Sequence, residues 1–151
     1  MTTPEERIRD TLKTKKLIEE IVGDNQSAFD YLKMLCRITR TLDDIYDGDN
    51  PKLSQEEVLE IIEYLFITMP TNSFYVAHQD VLLSQHLSMY NGWMAANVRE
   101  DGDDTDKIYA HVWRDNIFEV FPIVALLLGG VDHMKYISEK IRILFKKNLG
   151  E

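Results

Sequence analysis

Three side chains able to hold charge or move a proton recur four residues apart in one stretch: His111, Asp115 and Glu119. On a helix that spacing stacks them along one face within about two turns. An imidazole beside two carboxylates is the set needed for a metal site or for general acid–base catalysis. Arg114 falls outside the row, in an apolar sector with Ala110, Phe118 and Phe121. A guanidinium there must pair with a carboxylate or reach water along its stem; its functional alternative is bidentate contact with phosphate.

A second acidic group closes an earlier helix. Asp43 and Asp47 are four residues apart and share a face, while Asp44 points to the other side. Two carboxylates so close repel unless a cation sits between them. Asp47 does not begin a calcium loop of the EF-hand type, because the fifth position is Pro51 and the twelfth is Val58, where oxygen ligands are required. Glu57, Glu60 and Glu63 have the ExxE spacing of helical nucleotide pyrophosphohydrolases, but no ExxD follows.

The elements that must carry these groups are all helical. Thr3-Pro4-Glu5-Glu6 is a capping box with proline at the first helical position, and Gly23 ends that helix. Ile8, Leu12, Ile18, Ile21 and Val22 form its apolar stripe. A second helix opens near Asn25 or Ser27 and keeps a 3.6-residue period from Ala28 to Tyr46 before glycine and proline stop it. Ser54-Gln55-Glu56-Glu57 opens a third, with Val58, Ile61, Ile62, Leu65 and Phe66 as its expected core face and Pro70 as its end. From Ser73 to Asn97 one long helix is predicted. Within it Ser84, Ser88, Gly92 and Ala96 form a ridge of small side chains that admits a close neighbour, expected to be the helix after Glu100.

That next helix is predicted over about 106–129 and reads as the centre of the fold. Val120 to Leu128 has no polar side chain, as a buried helix requires, and Pro122 predicts a kink just after Glu119 by freeing the carbonyl of Phe118. A last helix turns Met134, Ile137, Ile141 and Leu144 inward and presents Lys135, Lys140, Arg142, Lys146 and Lys147 outward. The fold class is therefore all-α, a bundle of about six helices in a single domain spanning 1–151.

At 151 residues the chain can bury one core without metals or disulfides, and its single cysteine, Cys36, excludes an internal disulfide and a Cys-rich zinc site. No signal peptide and no membrane span is expected, so the protein is read as soluble and cytoplasmic. The net charge of -9 is unevenly spread, with 16 acidic and 4 basic residues from Asp43 to Glu119. That balance disfavours nucleic-acid backbones and favours cations or basic partners.

Two resemblances follow from these residues. Asp43-Asp44-Ile45-Tyr46-Asp47 resembles the DDxxD motif of isoprenoid synthases, which implies an all-α scaffold and Mg²⁺ holding a diphosphate. Asn97 to Asp101 does not supply the second motif of those enzymes, and the chain is about half their length, so their reaction is not carried over. The Asp-Asp-x-x-Asp-Gly-Asp helix end, Trp93 to Asn97, Val112-Trp113-Arg114-Asp115 and Val124-Ala125-Leu126-Leu127 with Gly129-Gly130 together resemble small phage-encoded helical proteins of unassigned function. That resemblance implies a phage or prophage source and the host cytoplasm, and no mechanism.

Two functions are left open. In one, Asp43 and Asp47 meet His111, Asp115 and Glu119 across a groove and bind Mg²⁺ or Mn²⁺ for the binding or hydrolysis of a phosphorylated small molecule; Asp115 or Glu119 is a further ligand or the general base, His111 the acid–base group and Arg114 the charge stabiliser. In the other, the chain is a non-catalytic interaction protein whose acidic middle meets a basic partner, with a homodimer possible through the small-residue ridge.

Overall fold

The computed structural model describes residues 3–48 and 53–146, and every described element is helical. The helices gather into two compact units, Met1–His78 and Gln79–Glu151.

In the first unit, α1 (Pro4–Val22) and α2 (Gln26–Asp47) are started by the caps that the sequence predicts. Thr3 Oγ1 accepts from the Glu6 amide at 3.1 Å while Glu6 accepts from the Thr3 amide at 2.8 Å, and Asn25 accepts from the Ala28 amide at 2.9 Å. Gly48 ends α2 in the left-handed region at φ 66°, where a side chain would be strained. The core is built from the second half of α1 and the middle of α2: Leu17, Ile18, Ile21, Ala28, Tyr31 and Leu32 are buried. Ile8 and Leu12, expected in the stripe, are exposed because no described residue covers the first half of α1; Ile45 and Tyr46 at the far end of α2 are exposed as well. Cys36 keeps some surface open to water, yet the protein around it pushes its thiol up to about 12.

Ser54 caps α3 (Gln55–Glu63) as predicted. The chain then widens into a π-helical turn, Tyr64–Thr68, and continues through α4 (Met69–Thr71), so Pro70 lies inside a helical segment and is not its end. The proline has no N–H to offer; one residue on, the Thr71 hydroxyl donates to the carbonyl of Ile67 at 2.7 Å. α5 (Ser73–Ala77) is capped by Asn72, whose amide nitrogen also donates to the Ser27 carbonyl at 2.9 Å. That bond brings Phe74 and Tyr75 onto Tyr31, with ring centroids 5.6 and 6.2 Å away. The long helix expected from Ser73 is broken at His78, whose amide is shared between the carbonyls of Phe74 and Tyr75 and whose ring packs on Phe74 at 4.8 Å.

The second unit comprises α6 (Gln79–Arg99), α7 (Asp104–Arg114), a 3₁₀ segment (Asp115–Glu119), α8 (Val120–Gly129) and α9 (Val131–Leu144). The small-residue ridge of α6 meets the neighbour that the sequence predicts. A Cβ added at Gly92 would lie 3.0 Å from the Trp113 carbonyl, Ala96 is fully buried, and Asn116 donates to the carbonyl and hydroxyl of Ser88 at 3.0 and 3.1 Å. The apolar run on α8 is the buried heart of this unit, through Val120, Phe121, Val124 and Ala125, and α9 turns Ile137 and Ile141 toward it.

Candidate functional site

The row His111, Asp115, Glu119 is not carried by one continuous helix. α7 stops at Arg114, and the next five residues wind more tightly, with the Val120 amide bonding the Ile117 carbonyl three residues back. Pro122 is the cause, since its ring displaces the Phe118 carbonyl and it cannot donate to it. The kink predicted after Glu119 is thus a 3₁₀ segment spread over Asp115–Glu119. His111, Asp115 and Glu119 still line one cleft.

Each member has a partner. His111 Nε2 lies 3.6 Å from an Asp115 carboxylate oxygen, so the imidazole and the first carboxylate form a local pair. Glu119 accepts from Arg142 of α9 at 2.8 Å, and the same guanidinium reaches the carbonyl and hydroxyl of Ser138. The exposed basic face of α9 is therefore partly tied to an acid of the 3₁₀ segment. Arg114 turns inward. One of its terminal nitrogens donates to Asn97 Oδ1 at 2.9 Å and to a carboxylate oxygen of Glu100, while its Nε is buried with no hydrogen-bond partner. This internal ion pair joins the end of α6 to the end of α7. Arg99 reinforces the same corner, 3.9 Å from Asp106 and 5.2 Å above the Trp113 ring.

Two clefts meet at His111 and Asp115. One, of about 360 Å³, is lined also by Glu100, Asp101, Lys107 and Arg114. The other, of about 700 Å³, runs over Trp113, Phe118 and Phe145 to Glu119, Arg142 and Lys146. Phe118 and Phe145 stack at 4.9 Å to make its apolar floor.

Asp43, Asp44 and Asp47 lie at the end of α2 in the first unit, the first two half-buried and Asp47 exposed. Asp49, Asn50 and Pro51, which complete the predicted acidic turn, lie outside the described residues, as does Lys147. Among the described residues no three histidine, cysteine or acidic side chains converge as a metal ion would need. No helix of the described residues is long and apolar enough to cross a membrane.

The departure from expectation that bears most on function is on α3. Of its predicted core face only Ile61 is buried. Ile62 is 46 % exposed, Leu65 49 % and Phe66 78 %, and Leu59 and Ile67 are as open. Leu59, Ile62 and Phe66 follow one another at helical spacing, so they form one apolar stripe facing water. Acid lies along one flank of it: α3 carries Glu56, Glu57, Glu60 and Glu63, and the stretch from Leu53 to Ala77 contains no lysine or arginine. Two of the four are tied down: Glu57 accepts from the Ser54 amide at 3.3 Å, and Glu60 is held from two sides. Glu60 accepts from the Tyr64 hydroxyl at 2.7 Å and lies 3.5 Å from Arg37 of α2, and these two neighbours hold its carboxyl below the usual range. Periodicity identifies which residues of α3 share a face; it carries no signal for whether a neighbour covers that face. Comparisons with family models, with curated proteins and with solved structures find no match.

Proposed function

We propose that this protein is a non-catalytic helical interaction protein that captures a basic amphipathic helix on α3. The observation that carries this reading is the open stripe Leu59, Ile62 and Phe66, which runs from α3 into the π-helical turn after it; the only charged residues of α3 are four glutamates. Contiguous apolar side chains rimmed by charge are the ordinary mark of a docking surface. An amphipathic helix lays its apolar side into such a surface through anchors at i, i+3 or i+4 and i+7, and lysines or arginines at its flanks would meet Glu56 and Glu63. The three aspartates at the end of α2 belong to the same unit and extend the negative field that draws a cation-rich segment in.

The test is titration of a labelled model helix of leucine and lysine against the protein, followed by anisotropy, beside a leucine and glutamate helix of equal length. The lysine helix binds and the glutamate helix does not. Phe66→Asp weakens binding by roughly tenfold or more and leaves the melting temperature nearly unchanged, because the side chain is exposed. Equal binding of both helices, or none of either, contradicts the proposal.

A second reading is favoured by one observation, that the His111–Asp115 pair stands where two clefts join. In it, a Mg²⁺ or Mn²⁺ ion and a phosphorylated small molecule are held in the cleft that Asp115 and Glu119 line, and His111 moves the proton. Water and phosphate oxygens would complete the coordination of the ion. Thermal melts with each ion on the wild type and on Asp115→Ala decide this reading: a metal-dependent rise lost in the variant supports it, and no rise at millimolar ion removes it.

A further inference from the structure

The outer face of α6, in the other unit, carries a second apolar stripe on a helix that is nearly uncharged. Leu83, Leu87, Tyr90, Met94 and Val98 are separated by four, three, four and four residues and are 44–78 % exposed. At 100° per residue the five fall within a sector of about 80°. They lie away from Ser88, Gly92 and Ala96, the ridge that α6 uses against α7 and the 3₁₀ segment. The helix is thus packed on its small-residue side and open on its large-residue side.

From this we infer that α6 pairs with α6 of a second copy of the chain, antiparallel, about a two-fold axis beside Tyr90. Three observations select a second copy. First, the stripe matches its own reverse. Antiparallel pairing about that axis sets Leu83 against Val98 of the second copy, Leu87 against Met94 of the second copy, and the two Tyr90 rings beside the axis. A two-fold interface needs this self-complementarity. Second, α6 has Asp80 and Arg99 as its only Asp, Glu, Lys or Arg residues over 21 positions, in a chain of net charge -9. Two such chains repel least where they are least charged, and a basic partner finds no counter-charge on this face. Third, the area suffices: the stripe offers on the order of 500 Å² per copy, so a pair covers roughly 1,000 Å², the size at which a specific interface becomes plausible as a stable one. From Leu83 to Met94 the steps of four, three and four are those of a two-helix seam, in which each large side chain enters a gap between those of its neighbour.

The experiment is sedimentation of the full chain across a concentration series, with charge-swapped variants. The wild type is a dimer that dissociates on dilution. Leu87→Lys/Met94→Lys and Leu87→Glu/Met94→Glu each raise the dissociation constant by roughly a hundredfold or more, while circular dichroism shows both still helical. Mixing the two variants restores a dimer, because antiparallel pairing puts each lysine against a glutamate. A wild type that stays monomeric at 100-fold the usual working concentration, on the order of a millimolar for a weak interface, overturns the inference. So does a dimer that either variant leaves intact, or variants that stay monomeric when mixed although each is folded. Because the substitutions avoid α3, binding of the lysine helix to the monomeric variants separates a failure here from a failure of the proposed function.

Discussion

Arg142 reaches from α9 to Glu119 and donates to its carboxylate at 2.8 Å across 23 residues of chain. The pair ties Glu119, which lines one cleft with His111 and Asp115, to α9. Both side chains are about half exposed, so the attraction is screened and the contact orients more than it stabilises. Arg142→Ala should lower stability by less than about 1 kcal/mol in urea unfolding, and that small difference should shrink further in high salt.

The close approach of α6 to α7 gives a larger effect. A methyl group at residue 92 meets the Trp113 carbonyl at 3.0 Å and the Asn116 side chain at 3.4 Å, and the first of these is backbone that cannot swing aside. Gly92→Val should cost about 1–3 kcal/mol by overpacking. Ser84→Ala, at the exposed end of the same ridge, should be within about 0.5 kcal/mol of the wild type. Chemical denaturation of the two variants side by side checks the contrast.

Arg114 joins Asn97 and Glu100 at the corner where α6 passes into α7. Arg114→Met keeps the length of the stem and removes the donors, leaving Glu100 without its cation and the partly buried Asn97 oxygen without its bond. The expected loss is about 1.5–3 kcal/mol, the range for hydrogen bonds to charged groups. Arg114→Lys should recover only part of it, since a single ammonium cannot follow the geometry of the planar guanidinium. Melting temperatures of both variants test the order.

His86, on the half-buried flank of α6, supplies a pH dependence. Burial lowers its pKa in the folded protein below the ordinary imidazole value. The unfolded chain therefore takes up the proton first, near pH 6.5. The stability that goes with neutral His86 is complete above that pH and is lost as pH falls through the lower folded value. Urea midpoints taken between pH 7.5 and 5 should decline, and His86→Gln should decline less.

Local signals were legible wherever the cause is local. Thr3, Asn25 and Ser54 cap their helices because a short oxygen next to three free amides is sufficient for the job. The ridge of Ser88, Gly92 and Ala96 also marked its neighbour, because only a closely approaching helix uses a row of missing side chains. Pro122 announced a distortion, but its extent, five residues of tighter winding that turn Glu119 toward Arg142, depends on what α9 offers from 23 residues away. The open faces on α3 and α6 were not legible. Ile62 and Phe66 have the spacing of a core stripe whether or not another helix lies over them, and coverage is decided by the packing of the whole unit. The same limit hid the partner of Arg114, whose apolar sector on α7 said that it must pair but left Glu100 and Asn97 unspecified.

The central claim is that the acid-flanked stripe on α3 receives a basic amphipathic helix, and amide chemical-shift mapping on the ¹⁵N-labelled protein tests it residue by residue. Titration with the leucine–lysine helix should shift the amides from Glu56 to Thr68 first and most, with little change along His111 to Glu119. Shifts that begin at His111, Asp115 and Glu119 and leave Leu59, Ile62 and Phe66 unmoved would contradict it.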